Sequence, residues 1–404
     1  MGSVLYTQKC KISLYTTFLG IYFASVIFGT VEIGSFSSIL KLIAIIPFSI
    51  WLITSHRIRI EMKVIPFFIY VLLCWASSFW SLNCQISIER AFTHTMFLLL
   101  LVSSASYRYS NEEISYLKKM LIWSSRISLI VTICFARYYE GRLRLIGIFT
   151  ESPNYLCGYY FCGVVNCIEC ICDHVFNDKK ISKIAVCWLE LGLYLFVVIA
   201  SGSRGGALAV LIAMLLGSFS VIEWRRIKTS AIFKTIVVFI GICLVIPIAV
   251  TYISPQTLDR YTMETIIESK GVGRYDIWTD TIRTFVDSNL FRQLFGYGAG
   301  MSFAVARTFS FTYINVSQNL LLETLIELGI VGLIAHVLHI YSFYKISRSA
   351  NDKYSTPILI GFIALTMSIS GSALKPYWNI LLYILCVKCC QSNSYICCNE
   401  GDIN

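Results

Sequence analysis

The chain has 404 residues, 56% of them hydrophobic and only 14% charged, with a mean hydropathy of +0.70. A soluble globular protein carries about 25% charged residues, so this composition excludes a cytosolic enzyme, a disordered segment and a small secreted module, and the surplus apolar surface must face lipid. The net charge of +10 is scattered in short groups between apolar runs, the pattern of loops between membrane spans rather than of a nucleic-acid-binding surface.

Crossing about 30 Å of hydrocarbon at 1.5 Å per residue takes roughly 20 mostly apolar residues. By that measure the sequence predicts an all-α polytopic membrane protein, a single integral domain over residues 1–404. About twelve spans are expected, at 12–30, 36–54, 64–82, 91–106, 120–136, 156–174, 184–200, 206–222, 235–253, 318–339, 357–373 and 377–393. The fourth and fifth are short and the last is Cys-rich, which leaves eleven open. Lys9 and Lys11 precede the first span with no small-residue cleavage site after it, so it reads as an uncleaved anchor. One large loop, 254–316, lies between spans nine and ten.

Short loops rich in Lys and Arg stay cytoplasmic. With the N-terminus inside, the inner segments hold 19 basic residues against 12 outside, six of which fall in the long loop, where charge counts for little. Both termini are therefore expected in the cytoplasm. The inner segments carry 13 Lys and 6 Arg, the outer ones 2 Lys and 10 Arg. Arginine keeps its charge and its planar fork binds phosphate through two parallel hydrogen bonds, so an outer face selecting Arg fits an anionic, phosphate-bearing ligand. Snorkelling at the interface is the plainer alternative. Of the 16 Cys only Cys84 falls in an expected outer loop, which argues against a disulfide framework.

In chain order, His94 stands beside Glu89 and Arg90 at the expected outer start of span four; it is either an outer-face base or a packed helix histidine. The other histidines, His56, His174, His336 and His339, are expected near the inner face. Loop 137–155, RYYEGRLRLIGIFTESPNY, carries Arg137, Arg142 and Arg144, then Glu151 and Pro153–Asn154. The cysteines from Cys157 to Cys172 include a CxxC, but inside a span without a His partner they read as apolar filler. Ser201-Gly202-Ser203-Arg204-Gly205-Gly206 is a tight turn into span eight, whose helix N-terminus and small residues would let an anion approach the backbone. Otherwise it is an interhelical turn with a snorkelling Arg. In loop 254–316, Pro255 opens a helix expected to run to about Ser269, and a second follows Gly273, with Arg274 and Asp276 in its first turn. Trp278, Ile282 and Phe285 repeat there at helical spacing. The loop balances six basic against six acidic residues, which disfavours nucleic acid. Ser317-Gln318-Asn319 stands at the mouth of span ten, where the two amides can both donate to and accept from sugar hydroxyls. Glu323 and Glu327 share one face below it, and Glu323, about one turn into the membrane, is a functional candidate by position. The C-terminal Cys389–Cys390 and Cys397–Cys398 pairs are a weak metal signal, and no metal is expected.

Taken in order, WASSFWSLNCQISIERA (75–91), RLIGIFTESPNY (144–155), SGSRGG (201–206), GRYDIW (273–278) with FGYGAG (295–300), and SQNLLLETLIELGIVGL (317–333) resemble the O-antigen ligase and O-antigen polymerase superfamily of bacterial inner membranes. The resemblance implies a metal-independent glycosyltransferase, without cofactor, of about twelve spans and one large periplasmic loop, acting on oligosaccharide linked to undecaprenyl pyrophosphate. It implies that Arg144, Arg204 and Arg274 hold the pyrophosphate. Around them Arg142, Asn154, Ser203, Gln318 and Asn319 are the further candidate substrate-binding residues. A chain-length regulator is an optional protein partner on which the residues are silent. The ligase branch usually has His where this chain has Gln318, and glutamine cannot serve as a general base near neutral pH. That favours a polymerase, with Glu151, Asp276 or Glu323 as the candidate base. A ligase and a lipid-oligosaccharide flippase are the rivals; against transport, the sequence shows no convincing internal repeat and few mid-membrane charges (Lys41, Arg126, Glu169, Glu190).

Overall fold

The computed structural model describes residues 12–30, 32–33, 37–54, 58, 61–139, 142–144, 153–176, 181–221, 251–268, 273–313, 315–350, 352–369 and 375–390. They form a helical bundle with two short antiparallel strand pairs, Glu32–Ile33 with Ser37–Ser38 (β1, β2) and Arg137–Tyr139 with Arg142–Arg144 (β3, β4).

The bundle helices are α1 (Leu14–Ala24), α2 (Ile39–Thr54), α3 (Ile65–Ser77), α4 (Cys84–Ser106), α5 (Asn111–Phe135), α6 (Pro153–Gly158), α7 (Phe161–Phe176), α8 (Ile181–Ala200) and α9 (Arg204–Val221). After a series of short helices the bundle resumes with α15 (Leu320–Ser349), α16 (Ser355–Thr366) and α17 (Lys375–Lys388). Helices stand where eleven of the twelve spans are expected; of the ninth, 235–253, residues 235–250 lie outside the described residues. Among the described residues four helical stretches are long and apolar enough to cross a membrane, Cys84–Ser106, Pro153–Asp173, Ser182–Ala200 and Leu320–Ser349, and five further apolar helices are shorter.

The fourth and fifth helices correct the expectation of short spans, with 23 and 25 residues. Their first turns are polar and escape a hydropathy ruler, but both are capped. Asn83 accepts the Ile86 N–H, and Ser110 and Glu113 form a reciprocal capping box. The Glu113 carboxylate also accepts from the Ser13 N–H at 3.2 Å, Thr16 Oγ1 at 2.8 Å and the Tyr107 hydroxyl at 3.0 Å, fastening the start of α1 to the start of α5.

The interior charges pair. Arg126 is bidentate on Glu190 at 2.8 and 2.9 Å, and Lys118 Nζ lies 2.8 and 2.7 Å from the two oxygens of Glu169. These pairs join α5 to α8 and to α7, so three of the charges that could mark a transport path serve as struts. The described cysteines are free thiols, and Cys157, Cys162 and Cys167 are buried in the apolar core. Of the two readings of His94, the packed helix histidine holds: with His336 and His339 it is buried around Phe67, Tyr70 and Trp378.

The segment before α15 folds as α10 (Pro255–Asp259), α11 (Met263–Glu268), α12 (Arg274–Val286), α13 (Leu290–Phe295) and α14 (Ser302–Thr308). The single helix expected from Pro255 to Ser269 is broken at 260–262, where the chain turns back onto the end of α8. Residues 296–302 dock on α15: Glu327 accepts from the Gly300 N–H at 2.8 Å, the Ser302 N–H at 3.1 Å and Ser302 Oγ at 2.6 Å. Close docking requires a kink in α15 at Gly329 (φ +68), where any Cβ would lie 2.3 Å from the Leu294 backbone.

Removing one member of an interior ion pair strands the other, whereas removing both does not. Arg126→Leu is expected to cost about 2 kcal/mol and the double change Arg126→Leu with Glu190→Leu much less, as read from thermal unfolding midpoints in detergent.

Candidate functional site

The turn from α8 into α9 is held by its own serines. Ser201 Oγ donates to the Val198 carbonyl at 2.6 Å and accepts the Ser203 N–H at 3.3 Å, while Ser203 Oγ accepts the Gly206 N–H at 3.0 Å, capping α9. Ser203 Oγ also donates to Asn154 Oδ1 at 2.5 Å, joining the turn to α6. The Asn154 amide then donates to the Ser368 carbonyl at 3.4 Å.

At the mouth of α15, Asn319 Oδ1 caps the helix by accepting the Leu321 and Leu322 N–H groups at 3.0 and 3.3 Å. Its amide donates to the Met367 carbonyl at 3.4 Å. Two asparagines from opposite parts of the sequence therefore clasp the same turn after α16. Gln318 beside the cap adopts φ +49, a left-handed conformation that costs a non-glycine residue about 1 kcal/mol or more.

Gly205 packs against that turn with no room to spare: a Cβ there would lie 2.2 Å from Ser368 Oγ and 2.5 Å from Ser368 Cβ, with Arg274 Nη1 at 3.9 Å. The Arg274 guanidinium thus stands beside the residue that follows Arg204. Arg204 Nε donates to the Arg260 carbonyl at 2.6 Å and Arg260 Nε to the Gly202 carbonyl at 3.2 Å, so the break between α10 and α11 wraps the α8–α9 turn. Helix α12, which begins with Arg274, is secured to the α15 mouth by Trp278 Nε1 donating to the Ser317 carbonyl at 2.8 Å.

The structure therefore gathers Asn154, Ser203, Arg204, Arg274 and Asn319 around one pair of turns, with Gln318 adjoining. Strand β4 carries Arg142 and Arg144, paired in backbone register with Tyr139 and Arg137, and packs against α6 and α8, the elements that flank the cluster. Glu151 lies outside the described residues. Asp276 is half-buried in the first turn of α12 and makes no hydrogen bond or ion pair among the described residues. Glu323 is buried to 3% exposure. Arg90 on α4 lies within electrostatic range of Glu323, Glu327, Tyr70 and Tyr155, and its Nε would be 3.5 Å from a Cβ at Gly300.

Sequence reasoning missed three contributors. The Met367–Ser368 turn, Arg260 and the link from Arg90 to the two glutamates all join segments far apart in the chain. For Met367–Ser368 and Arg260 no local pattern gives a signal; for Arg90 the signal was available, an ionisable residue within reach of a span.

Residues 191–337 match the family described as O-antigen ligase. That stretch takes in Ser203, Arg204, Arg274, Gln318, Asn319 and Glu323, and the match supports the O-antigen ligase and polymerase superfamily, a class of glycosyltransferase-like membrane enzymes acting in lipopolysaccharide biosynthesis. Comparison with characterised proteins gave no match to the chain.

The contact at Gly205 predicts a specific rescue. Gly205→Ala should push the α8–α9 turn away from Ser368 and lower activity, and adding Ser368→Gly, which removes both obstructing atoms, should restore part of it. Transferase activity of the two variants in membranes checks this.

Proposed function

We propose that this chain is an O-antigen polymerase, joining oligosaccharide repeats carried on undecaprenyl pyrophosphate at the periplasmic face of the inner membrane. The observation that carries the proposal is the approach of the Arg274 guanidinium to Gly205, the residue after Arg204, beside the Asn154–Ser203 and Asn319 clasps. Fixed guanidinium groups around a closely approachable backbone turn suit a diphosphate, which can take several charge-assisted hydrogen bonds at once. Arg142 and Arg144, on the strand flanking α6 and α8, are further candidates for the substrate site, with Gln318 and Asn319 at the mouth of α15.

In this reading the growing chain enters on its carrier lipid and the arginines stabilise negative charge developing on the departing diphosphate. A hydroxyl of the next lipid-linked repeat attacks the anomeric carbon. The new C–O bond forms as the bond from that carbon to the diphosphate oxygen breaks, the electron pair leaves with undecaprenyl pyrophosphate, and the hydroxyl proton passes to a carboxylate. Of the three candidates, Glu323 is favoured as base: it is buried, has the Arg90 guanidinium within electrostatic range, and lies near Tyr155, the neighbour of Asn154. The diphosphate is a good leaving group without strong acid assistance, so neither a metal nor a nucleotide is required. Gln318, in the position where the ligase branch has His, favours the polymerase over the ligase.

The test is purified protein with one defined lipid-linked repeat, with products sized on a gel. Arg204→Lys and Arg274→Lys should each lower the rate about 100-fold at near-normal protein level, as losing one transition-state donor does. Glu323→Gln should do the same while Asp276→Asn does not. Full polymer length from both Lys variants would contradict the anion site. In cells, loss of the protein should leave a single repeat on the lipopolysaccharide core; a bare core would indicate a ligase instead, and repeats trapped on the cytoplasmic side a flippase.

A further inference from the structure

A second site stands on the same helix as Arg274. Between α12 and residues 309–311 lies a cavity of about 300 Å³, lined among others by Asp280, Arg283, Asp287, Tyr297, Phe309 and Ser310. That size is at the lower end of small-molecule sites. We propose that it is a saccharide subsite that takes a neutral sugar of the lipid-linked oligosaccharide, at a distance from the diphosphate. The proposal rests on the glycosyltransferase reading above and extends it to the substrate's glycan.

The lining has the chemistry of a sugar site rather than of an apolar groove. Phe309 is 47% exposed and held edge-on to Tyr297, ring centroids 5.4 Å apart, so its other surface is available to the C–H face of a pyranose. Asp280 uses one oxygen to accept the Thr312 N–H at 2.8 Å, which fixes the carboxylate and leaves the second oxygen for a hydroxyl. Arg283 and Asp287 pair loosely at 3.7 Å, both strongly exposed, and together offer donors and acceptors to vicinal hydroxyls. The Tyr297 hydroxyl is engaged with Ser288 Oγ at 2.6 Å, which holds the wall rigid. Ser310 between the two aromatic residues adopts φ +51, a strained conformation that turns the chain at the rim. Two carboxylates against one guanidinium disfavour an acidic sugar or a second phosphate, which leaves a neutral sugar.

The placement fits a glycan extending from the anion site. Along α12, at 1.5 Å per residue, Asp280 stands on the order of 9 Å and Asp287 about 20 Å from Arg274. A sugar held here lies a few units from the reacting carbon, so the subsite selects the repeat without contacting the bond that changes.

The experiment is a saturation-transfer NMR titration of the full-length protein in detergent. Its probe is the saccharide released by mild acid from the carrier lipid of the source cells, free of phosphate. The unaltered protein should bind it, and Phe309→Ala and Asp287→Asn should each weaken binding by roughly threefold to tenfold. Arg204→Lys should leave it unchanged. Absence of binding to the unaltered protein, or binding by both pocket variants as tight as that of the unaltered protein, would overturn the subsite. Should Phe309→Ala fold poorly, the strongly exposed Asp287 still decides the matter. The probe has no diphosphate, so failure of the anion site would show as full activity in the Lys variants with saccharide binding intact, whereas failure of the subsite would show here alone.

Discussion

The Arg274 guanidinium stands at the glycine that follows Arg204, and the rest of the site is arranged to hold both residues in place. Here the scaffold is visible: Arg204 is held by the Arg260 carbonyl, α12 is pinned by Trp278, and Gly205 lets the α16 turn approach to a distance no side chain would permit.

That constraint also accounts for the segment between the bundle halves. Helices α10 to α14 are short, yet each end of the segment is bonded to a different part of the bundle. Residues 260–261 close on the α8–α9 turn, and residues 296–302 are pinned by Glu327 across the kink at Gly329. Helix α12 bridges the two attachments, carrying Arg274 at one end and the proposed sugar pocket along its length. A transporter would need these attachments to break and reform in each cycle, whereas an enzyme working on a tethered lipid benefits from their rigidity.

Much of this was legible in the residues. Long apolar runs show helices because lipid leaves a backbone no other partner, and the resemblance of SGSRGG and GRYDIW to family motifs pointed to Arg204 and Arg274. The Ser201–Gly206 turn and Asn319 could be read because caps and tight turns are local. What escaped was either non-local or polar where apolarity was the guide. The true starts of α4 and α5 lie in capped polar turns, the aromatic cluster around His336 and His339 joins separate helices, and the Met367–Ser368 turn is clasped by asparagines some 50 and 200 positions away.

The central claim is that these guanidinium groups recognise a diphosphate as such. Native mass spectrometry of the detergent-solubilised protein with undecaprenyl pyrophosphate and undecaprenyl phosphate in competition measures that directly. The account predicts retention of the diphosphate lipid in clear preference to the monophosphate, with the preference lost when Arg204 and Arg274 are both lysine. Equal retention of the two lipids, or a preference that survives the double substitution, would contradict it.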